Sequence, residues 1–516
     1  MPLPQHRCHS GQSAAESKDL RLLIPSPRVT LVASLAPLVL LALLAGCKPV
    51  GPSYNRPGYD APAAYKETGA TTVVVPPPSP SSGGWQQAAP SDGTLRGKWW
   101  EIYQDPQLNK LEERIATENQ TLRQAAETYL AARDQVSVAR ASLYPTFSGG
   151  ISAGRTNVSA NGPSYAAGKP TTYSDLLIDG QASWEPDFWG RIRRNVEAAR
   201  SSAQANAADL ANIDLSLHAE LAADYFQLRG LDSQSQLLQK TVGDLEQQLD
   251  LTGRRLAGGV STEVDVDQAR TQLETVRAQL IDVTVARAQF EHAIGTLISA
   301  KLSDFSIPSS PLDLTLPQIP VGVPSQLLER RPDIAAAERR TAAANAQIGI
   351  AISAFYPNIS LNGSGGFESE HTGTWIQGPS ALWSLGAQAT ELLFDAGRRH
   401  ALTDEARHSY EAQAAAYRST VLAAFNDVED QLSTLRILEQ ESAVEQKAVD
   451  SAQRSFDLSD QRYKGGVTSY LEVLTAESAL IQDQRTAIDL QTRQFASSAA
   501  LVRALGGGWN TSQLPK

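Results

Sequence analysis

The stretch Arg462–Glu477 reads Arg-Tyr-Lys-Gly-Gly-Val-Thr-Ser-Tyr-Leu-Glu-Val-Leu-Thr-Ala-Glu. It separates two long Ala-rich tracts with helical apolar periodicity, and Gly465-Gly466 is the break between them. Glycine takes the left-handed dihedrals that a tight reversal between helices needs. Thr468 and Ser469 are natural N-cap residues for the helix that follows. The same layout occurs 207 residues earlier (258 to 465) in Leu256–Ala269. There Gly258-Gly259-Val260 answers Gly465-Gly466-Val467, and Asp265 falls opposite Glu472. Gly190 and Gly397 stand at the same offset. The chain is therefore a duplicated unit with a helical hairpin tip in each copy, and a repeat constrains the architecture before any local reading.

Working outward, the first copy spans 99–302, with its tip at 256–262. Asp105 can cap a helix with Pro106 at its first position. Periodicity runs that helix to about 143, where Tyr144-Pro145 stops it. In about 146–154, Phe147, Ile151 and Ala153 alternate with Ser148, Gly150 and Ser152. In about 176–185, Leu176, Ile178, Ala182 and Trp184 alternate with Asp179, Gln181, Ser183 and Glu185. Period two means strands with one apolar and one polar face. A helical tract then runs from Arg191 to about 255, and Ile213, Leu217, Leu221, Leu238, Val242, Leu245 and Leu249 form a coiled-coil-like seam in it. A return helix occupies about 261–301.

Five prolines mark 303–324 as a linker. The second copy, 325–509, repeats the order: a helix ended by Tyr356-Pro357, strands at about 358–367 and 382–393, a long helix after Gly397, the tip at 463–469 and a last helix. Residues 510–516 form a tail.

Residues 1–46 read as an export signal. Arg21 and Arg28 precede the apolar run 29–45, which is short for a membrane span and ends in small residues. Its end, Leu44-Ala45-Gly46-Cys47, resembles a bacterial lipobox, which implies lipid attachment at Cys47; Lys48, in place of Asp, favours the outer membrane by the same resemblance. Residues 47–98 are Pro-, Gly- and Ser-rich and read as an extended, lipidated tether. Residues 1–46 hold four Lys/Arg and two Asp/Glu, so cleavage takes the net charge from −11 to −13. Such a balance, with no basic block, argues against a nucleic-acid partner. With Cys8 removed and Cys47 acylated, no disulfide is available.

Four antiparallel strands, two per copy, leave two open edges. In lipid each unpaired backbone group costs several kcal/mol, so only a closed barrel is viable. Membrane barrels start at about eight strands, so identical chains must complete one. Two chains would give a side-chain-filled barrel, and three give twelve strands with a lumen, which the small polar inward residues suit. The soluble alternative is a four-stranded sheet covered by helices. The fold class is mainly α with a small β part: long coiled-coil-like helices forming a periplasmic α-barrel, plus four strands per chain in a 12-stranded trimeric β-barrel.

Trp99-Trp100, Tyr103, Asp105-Pro106 and Leu108, then Leu327–Glu338 with Arg331-Pro332-Asp333-Ile334, then Phe355–Leu361 and the two Gly-Gly tips, resemble the outer membrane factor family. These are the TolC/OprM-like trimeric channels of tripartite efflux and type I secretion. The lipobox places the chain nearest the NodT-type lipoproteins. The resemblance covers 99–509 and implies a passive, homotrimeric outer-membrane duct that exports small toxic compounds or drugs. It implies a periplasmic adaptor, an inner-membrane RND-type pump and outer-membrane lipid as partners. The alternatives are a type I protein secretion channel and a periplasmic coiled-coil scaffold without a pore.

No catalytic or cofactor motif emerges, and His218, His292, His371, His400 and His408 lack metal-ligand spacing. Helix histidines of this kind are expected to face solvent. Asp265 and Glu472 are the candidate gate, since threefold assembly would bring six carboxylates near one axis, where like charges repel. An ordinary first-turn carboxylate favoured by the helix dipole is the plainer reading. Tyr463 matches a family tip tyrosine that bonds to the acidic residue of the first tip, here Asp265, and plain packing is the alternative reading. Thr468 and Ser469 stand where the family carries a basic residue, so closure by Leu471 or Leu474 stays open beside a carboxylate gate. Gly258, Gly259, Val260, Gly465, Gly466 and Val467 are the expected adaptor-docking tips. Trp184, Trp189 and Trp383 fit an interfacial aromatic belt, and for Trp189 packing at the strand–helix junction is the alternative.

Overall fold

The computed structural model describes residues 48–59, 61, 62, 64–67, 97–161, 171–319, 321 and 327–515. Cys47, the export segment 1–46 and residues 68–96 lie outside the described residues.

The first copy contains α1 (Pro106–Glu118), α2 (Gln120–Ala141), β1 (Thr146–Asn157), β2 (Thr172–Trp184), α3 (Arg191–Ala257) and α4 (Glu263–Leu297). The second contains α5 (Leu327–Arg330), α6 (Pro332–Ser353), β3 (Asn358–Ser369), β4 (Ala381–Thr390), α7 (Arg398–Lys464) and α8 (Tyr470–Ala504). The copies agree in length: α2 and α6 have 22 residues each, β1 and β3 12, α3 and α7 67, α4 and α8 35. The two 67-residue helices are each about 100 Å long. Gly190 and Gly397 precede them with φ of 83° and 87°.

The helix expected over 106–143 is broken. Asn119 is extended, its Oδ1 accepts from Leu122 N at 2.8 Å and its Nδ2 donates to Leu297 O at 2.6 Å. An N-cap thus starts α2 in the middle of a helical pattern. α1 itself begins as read: Asp105 accepts from Gln107 N at 2.7 Å, with Pro106 at the first position. Trp99, Tyr103, Leu108, Ile115, Tyr225, Phe226 and Phe495 fill the largest core.

The 303–324 linker is also more than a spacer where it is described. Ile307 and Leu312 are buried, and the segment is stapled to a fully buried carboxylate on α3. Asp232 receives Ser309 Oγ at 2.9 Å and Ser310 N at 3.0 Å, and pairs with Arg229 at 3.1 Å and Arg287 at 2.7 Å. A buried carboxylate persists only when its lone pairs are met in this way. The Arg331-Pro332-Asp333 run has an equally structural reason. Arg331 Nη1 donates to Ala504 O at 3.0 Å, capping α8, and Nη2 binds Asp333 at 2.6 Å.

The first part of the expected tether is extended but held along α3, α6 and α7. Arg194 Nε donates to Val50 O at 3.1 Å, and Tyr54 Oη donates to Glu338 Oε1 at 2.6 Å. Arg56 Nε donates to Tyr417 Oη at 3.0 Å, and Lys66 N to Glu429 Oε1 at 2.6 Å. Tyr65 is buried among these helices. The described residues between 50 and 67 form a strap where composition alone predicts a free linker.

His218 departs from its solvent-facing expectation. It is buried under Trp100, with ring centroids 4.3 Å apart. Nδ1 meets Glu112 Oε2 at 2.6 Å, and Nε2 lies 3.5 Å from Asp214 Oδ1. Burial works against its charge, but the two carboxylates prevail and carry its pKa up to about 9.

Candidate functional site

The four strands form one antiparallel sheet in the order β1-β2-β3-β4, so β1 and β4 are its edges. The strands differ in length from the stretches read from sequence: β1 continues to Asn157, β2 starts at Thr172 and β3 continues to Ser369, whereas β4 ends at Thr390. One face carries Phe147, Ile151, Ile178, Phe367, Trp383 and Leu385, several of them highly exposed. The opposite face is a hydrogen-bonded polar layer. Ser183 Oγ donates to Asn362 Oδ1 at 3.0 Å, Ser364 and Ser384 hydroxyls meet at 2.8 Å, and Gln181 Nε2 donates to Asp179 Oδ2 at 2.7 Å. The two-sided sheet therefore suits a wall with lipid on one side and water on the other.

Trp184 and Trp189 serve the strand–helix junction. Trp184 Nε1 donates to Leu143 O at 3.0 Å and Trp189 Nε1 to Pro357 O at 2.8 Å, the latter ring stacking on Tyr356 at 4.9 Å. Trp383 stays exposed on the apolar face.

At the far end of the long helices the two tips close by one device. Val260 N donates to Arg255 O at 2.9 Å and Gly259 N to Leu256 O at 2.9 Å. Val467 N donates to Arg462 O at 2.9 Å and Gly466 N to Tyr463 O at 3.0 Å. This pair of bonds requires a left-handed residue, supplied by Gly259 (φ 72°) and Gly466 (φ 77°). Nothing lies within 4 Å of where a Cβ would stand on either residue. Gly258 and Gly465 have ordinary φ of −81° and −76°, so only the second glycine of each pair is fixed by conformation.

The repeat-equivalent carboxylates differ in their surroundings. Asp265 closes a capping box: its Oδ2 accepts from Ser261 Oγ at 2.8 Å, Thr262 N at 2.9 Å and Thr262 Oγ1 at 2.9 Å. Partial burial opposes ionisation, but the bonds from Thr262 and Ser261 outweigh it and hold the carboxyl below its ordinary value. Glu472 is exposed, with Arg462 Nη1 4.0 Å away. Ser469 stands at the cap position of α8 without a side-chain bond, and the Thr468 hydroxyl is buried without a partner.

Tyr463 is buried against Tyr470, with ring centroids 5.4 Å apart. Its hydroxyl lies 3.4 Å from Thr252 Oγ1, not on Asp265 as the resemblance implied. Arg255, which sequence reasoning misses, does the joining. Its guanidinium lies 4.5 Å from the Tyr463 ring centroid, and Nη1 donates to Tyr463 O at 2.9 Å. A cation at the last carbonyls of α7 complements that helix end and ties the two tips together. Arginine in the last turn before the glycine pair is the signal available for it. Leu471 is exposed and Leu474 packs partly against the Tyr463–Tyr470 cluster. Among the described residues no group of His, Cys, Asp or Glu is arranged to hold a metal ion.

A polar-lined sheet with open edges joined to long helical hairpins is the geometry of a duct wall, and comparison with known proteins agrees. The outer membrane efflux protein family model matches residues 111–299 and 323–507. The chain is 31% identical over 484 residues to the solvent efflux pump outer membrane protein SrpC of Pseudomonas putida, covering 92% of this chain and 98% of that one. It is 30% identical over 432 residues to the pyoverdine export outer membrane protein OpmQ of Pseudomonas aeruginosa, covering 83% and 90%. Its fold is similar to the solved outer-membrane channel OprN, with a TM-score of 0.79, 27% identity, and 89% of this chain and 99% of that chain covered. The chain belongs to the outer membrane efflux protein family and is the outer-membrane channel component of an efflux system.

Proposed function

We propose that the chain works as a homotrimer, a passive duct whose strands close a 12-stranded barrel and whose helices continue it into the periplasm. The observation that carries this is the sheet with two unpaired edges, β1 and β4, between an apolar and a polar face. The internal repeat supports where the neighbour sits. α3 packs on both α6 and α8 of the second copy, whereas α7 has no comparable packing on α2 or α4 of its own chain. The segment before α3 seats Trp189 on Tyr356 and Pro357. The matching segment before α7 leaves Leu393 and Phe394 90% and 83% exposed, and Tyr144, the counterpart of Tyr356, is 70% exposed. In the trimer Leu393 and Phe394 lie over Tyr144 of the next protomer.

A Tyr144→Cys, Phe394→Cys chain treated with a short bis-maleimide tests this, because the mature sequence has no other cysteine than Cys47. Covalent dimers and trimers are expected only with both substitutions present. A band that stays monomeric, while intact oligomer is seen on an unheated gel, would refute the placement.

The duct is anchored through lipid on Cys47 and meets a periplasmic adaptor at Gly258-Gly259-Val260 and Gly465-Gly466-Val467. The adaptor links it to an inner-membrane RND-type pump. Its cargo is small toxic compounds; the likeness to a solvent efflux component supports that class. Tyr463 packs the tip, and Glu472, with Asp265 behind it, lines the gate and biases it toward cations. In planar bilayers an Asp265→Ala, Glu472→Ala chain is expected to lose cation preference, its permeability ratio falling toward unity. Unchanged selectivity and unchanged calcium block would end the carboxylate gate and leave closure to Leu471 and Leu474.

A further inference from the structure

On the inner face of α8, Tyr470, Val473, Glu477 and Ile481 step by three and four. Tyr470 and Val473 belong to the apolar cluster at the tip, and Ile481 to the cluster above it with Leu238, Leu245, Leu273 and Val276. Glu477 occupies the slot between them, where the seam calls for an apolar residue. It is only 4% exposed, and its Oε2 has no hydrogen-bond partner. The groups facing it add no compensation. α3 presents Asp244 and the neutral Gln248, and α7 presents Asp460, which Lys464 pairs with at 2.7 Å. α4 contributes the neutral Gln272, 3.3 Å from Ser478. On α8 itself the phenol of Tyr470 is near. A buried carboxylate without a partner, opposite two others, is tolerated as the acid and penalised as the anion.

We propose that Glu477 is a proton-sensitive positioning residue of the periplasmic tip, letting α8 lie closed on α3 and α7 when neutral and driving it outward when ionised. The proposal rests on the gated-duct reading. Burial pushes its carboxyl up to about 7 from 4.5, with Asp244 and Asp460 adding to the rise. In a loosened, hydrated tip the group returns toward the ordinary value. The closed tip therefore binds the proton more tightly. Closure is favoured below about 4.5, loses ground as pH rises toward about 7, and changes no further above that.

Single-channel recording from about pH 5 to about pH 8 tests this. The native channel is expected to spend at least about tenfold more time open at the upper end, one pKa unit being worth a factor of ten. Glu477→Gln is expected to stay at the acidic, closed level throughout. Glu477→Leu, which completes the apolar stripe, gives the same flat profile and guards against a folding defect in the first variant. A native slope retained by both variants, or a native channel without a slope, would overturn the proposal. If no conductance is found at any pH, the duct reading itself fails. Amide hydrogen exchange over 463–480 still decides the role of Glu477, rising with pH in the native chain and not in Glu477→Gln.

Discussion

A Gly386→Pro chain is expected to fold its helices and fail to assemble. Gly386 lies in β4, an edge of the sheet, opposite Asn362 of β3. Proline removes its N–H, which faces either β3 or the next protomer's β1, and either loss breaks a ladder that has no water to replace it. The cost is several kcal/mol per chain, and a trimer incurs it three times. The expected results are loss of the heat-modifiable oligomer and of conductance, with far-UV helical signal retained. Gly386→Ala, which keeps the amide and places its methyl on the polar face, should assemble. An oligomer of normal heat resistance from Gly386→Pro would mean that β4 is not a pairing edge.

The second large effect concerns the tips. Gly466→Trp is expected to abolish efflux in a strain lacking the native gene while leaving the trimer intact. Gly466 has φ 77° and nothing within 4 Å of where a Cβ would stand, so an added side chain projects into open space. A left-handed non-glycine residue costs about 1–2 kcal/mol, a small fraction of what holds helices this long. The hairpin survives and its outer surface is obstructed. Gly466→Asn separates the two causes, because asparagine accepts the left-handed region without the bulk. It should keep most of the efflux. Full resistance restored by Gly466→Trp would remove the docking role of this turn.

Local signals make the duplicated frame readable. The glycine pairs mark reversals, Tyr-Pro pairs stop helices, and period-two alternation separates strands from helices without ambiguity. What escapes depends on contacts distant in sequence. The strap at 50–67 looks like linker because its partners Arg194, Glu338, Tyr417 and Glu429 lie more than a hundred residues away. His218 cannot be told from a solvent-facing histidine until Glu112 and Trp100 are brought to it. Asn119 is detectable, since asparagine inside a helical pattern is a capping residue out of place. At the gate, the repeat equates Asp265 with Glu472 by position. Only the local turn chemistry, Ser261-Thr262 against Thr468-Ser469, separates one that is tied down from one that is exposed. Glu477 is likewise visible as an acid in an apolar stripe, but its isolation needs Asp244 and Asp460 in place.

The equal lengths of α3 with α7 and of α4 with α8 carry a further consequence. Neither copy can lengthen or shorten alone without leaving its turn at a different depth from the other. A heptad gained in one hairpin staggers the rim by about 10 Å and spoils a level landing for whatever meets it. The reach of this duct across the periplasm is thus an inherited dimension, adjustable only by matched changes in all four helices at once.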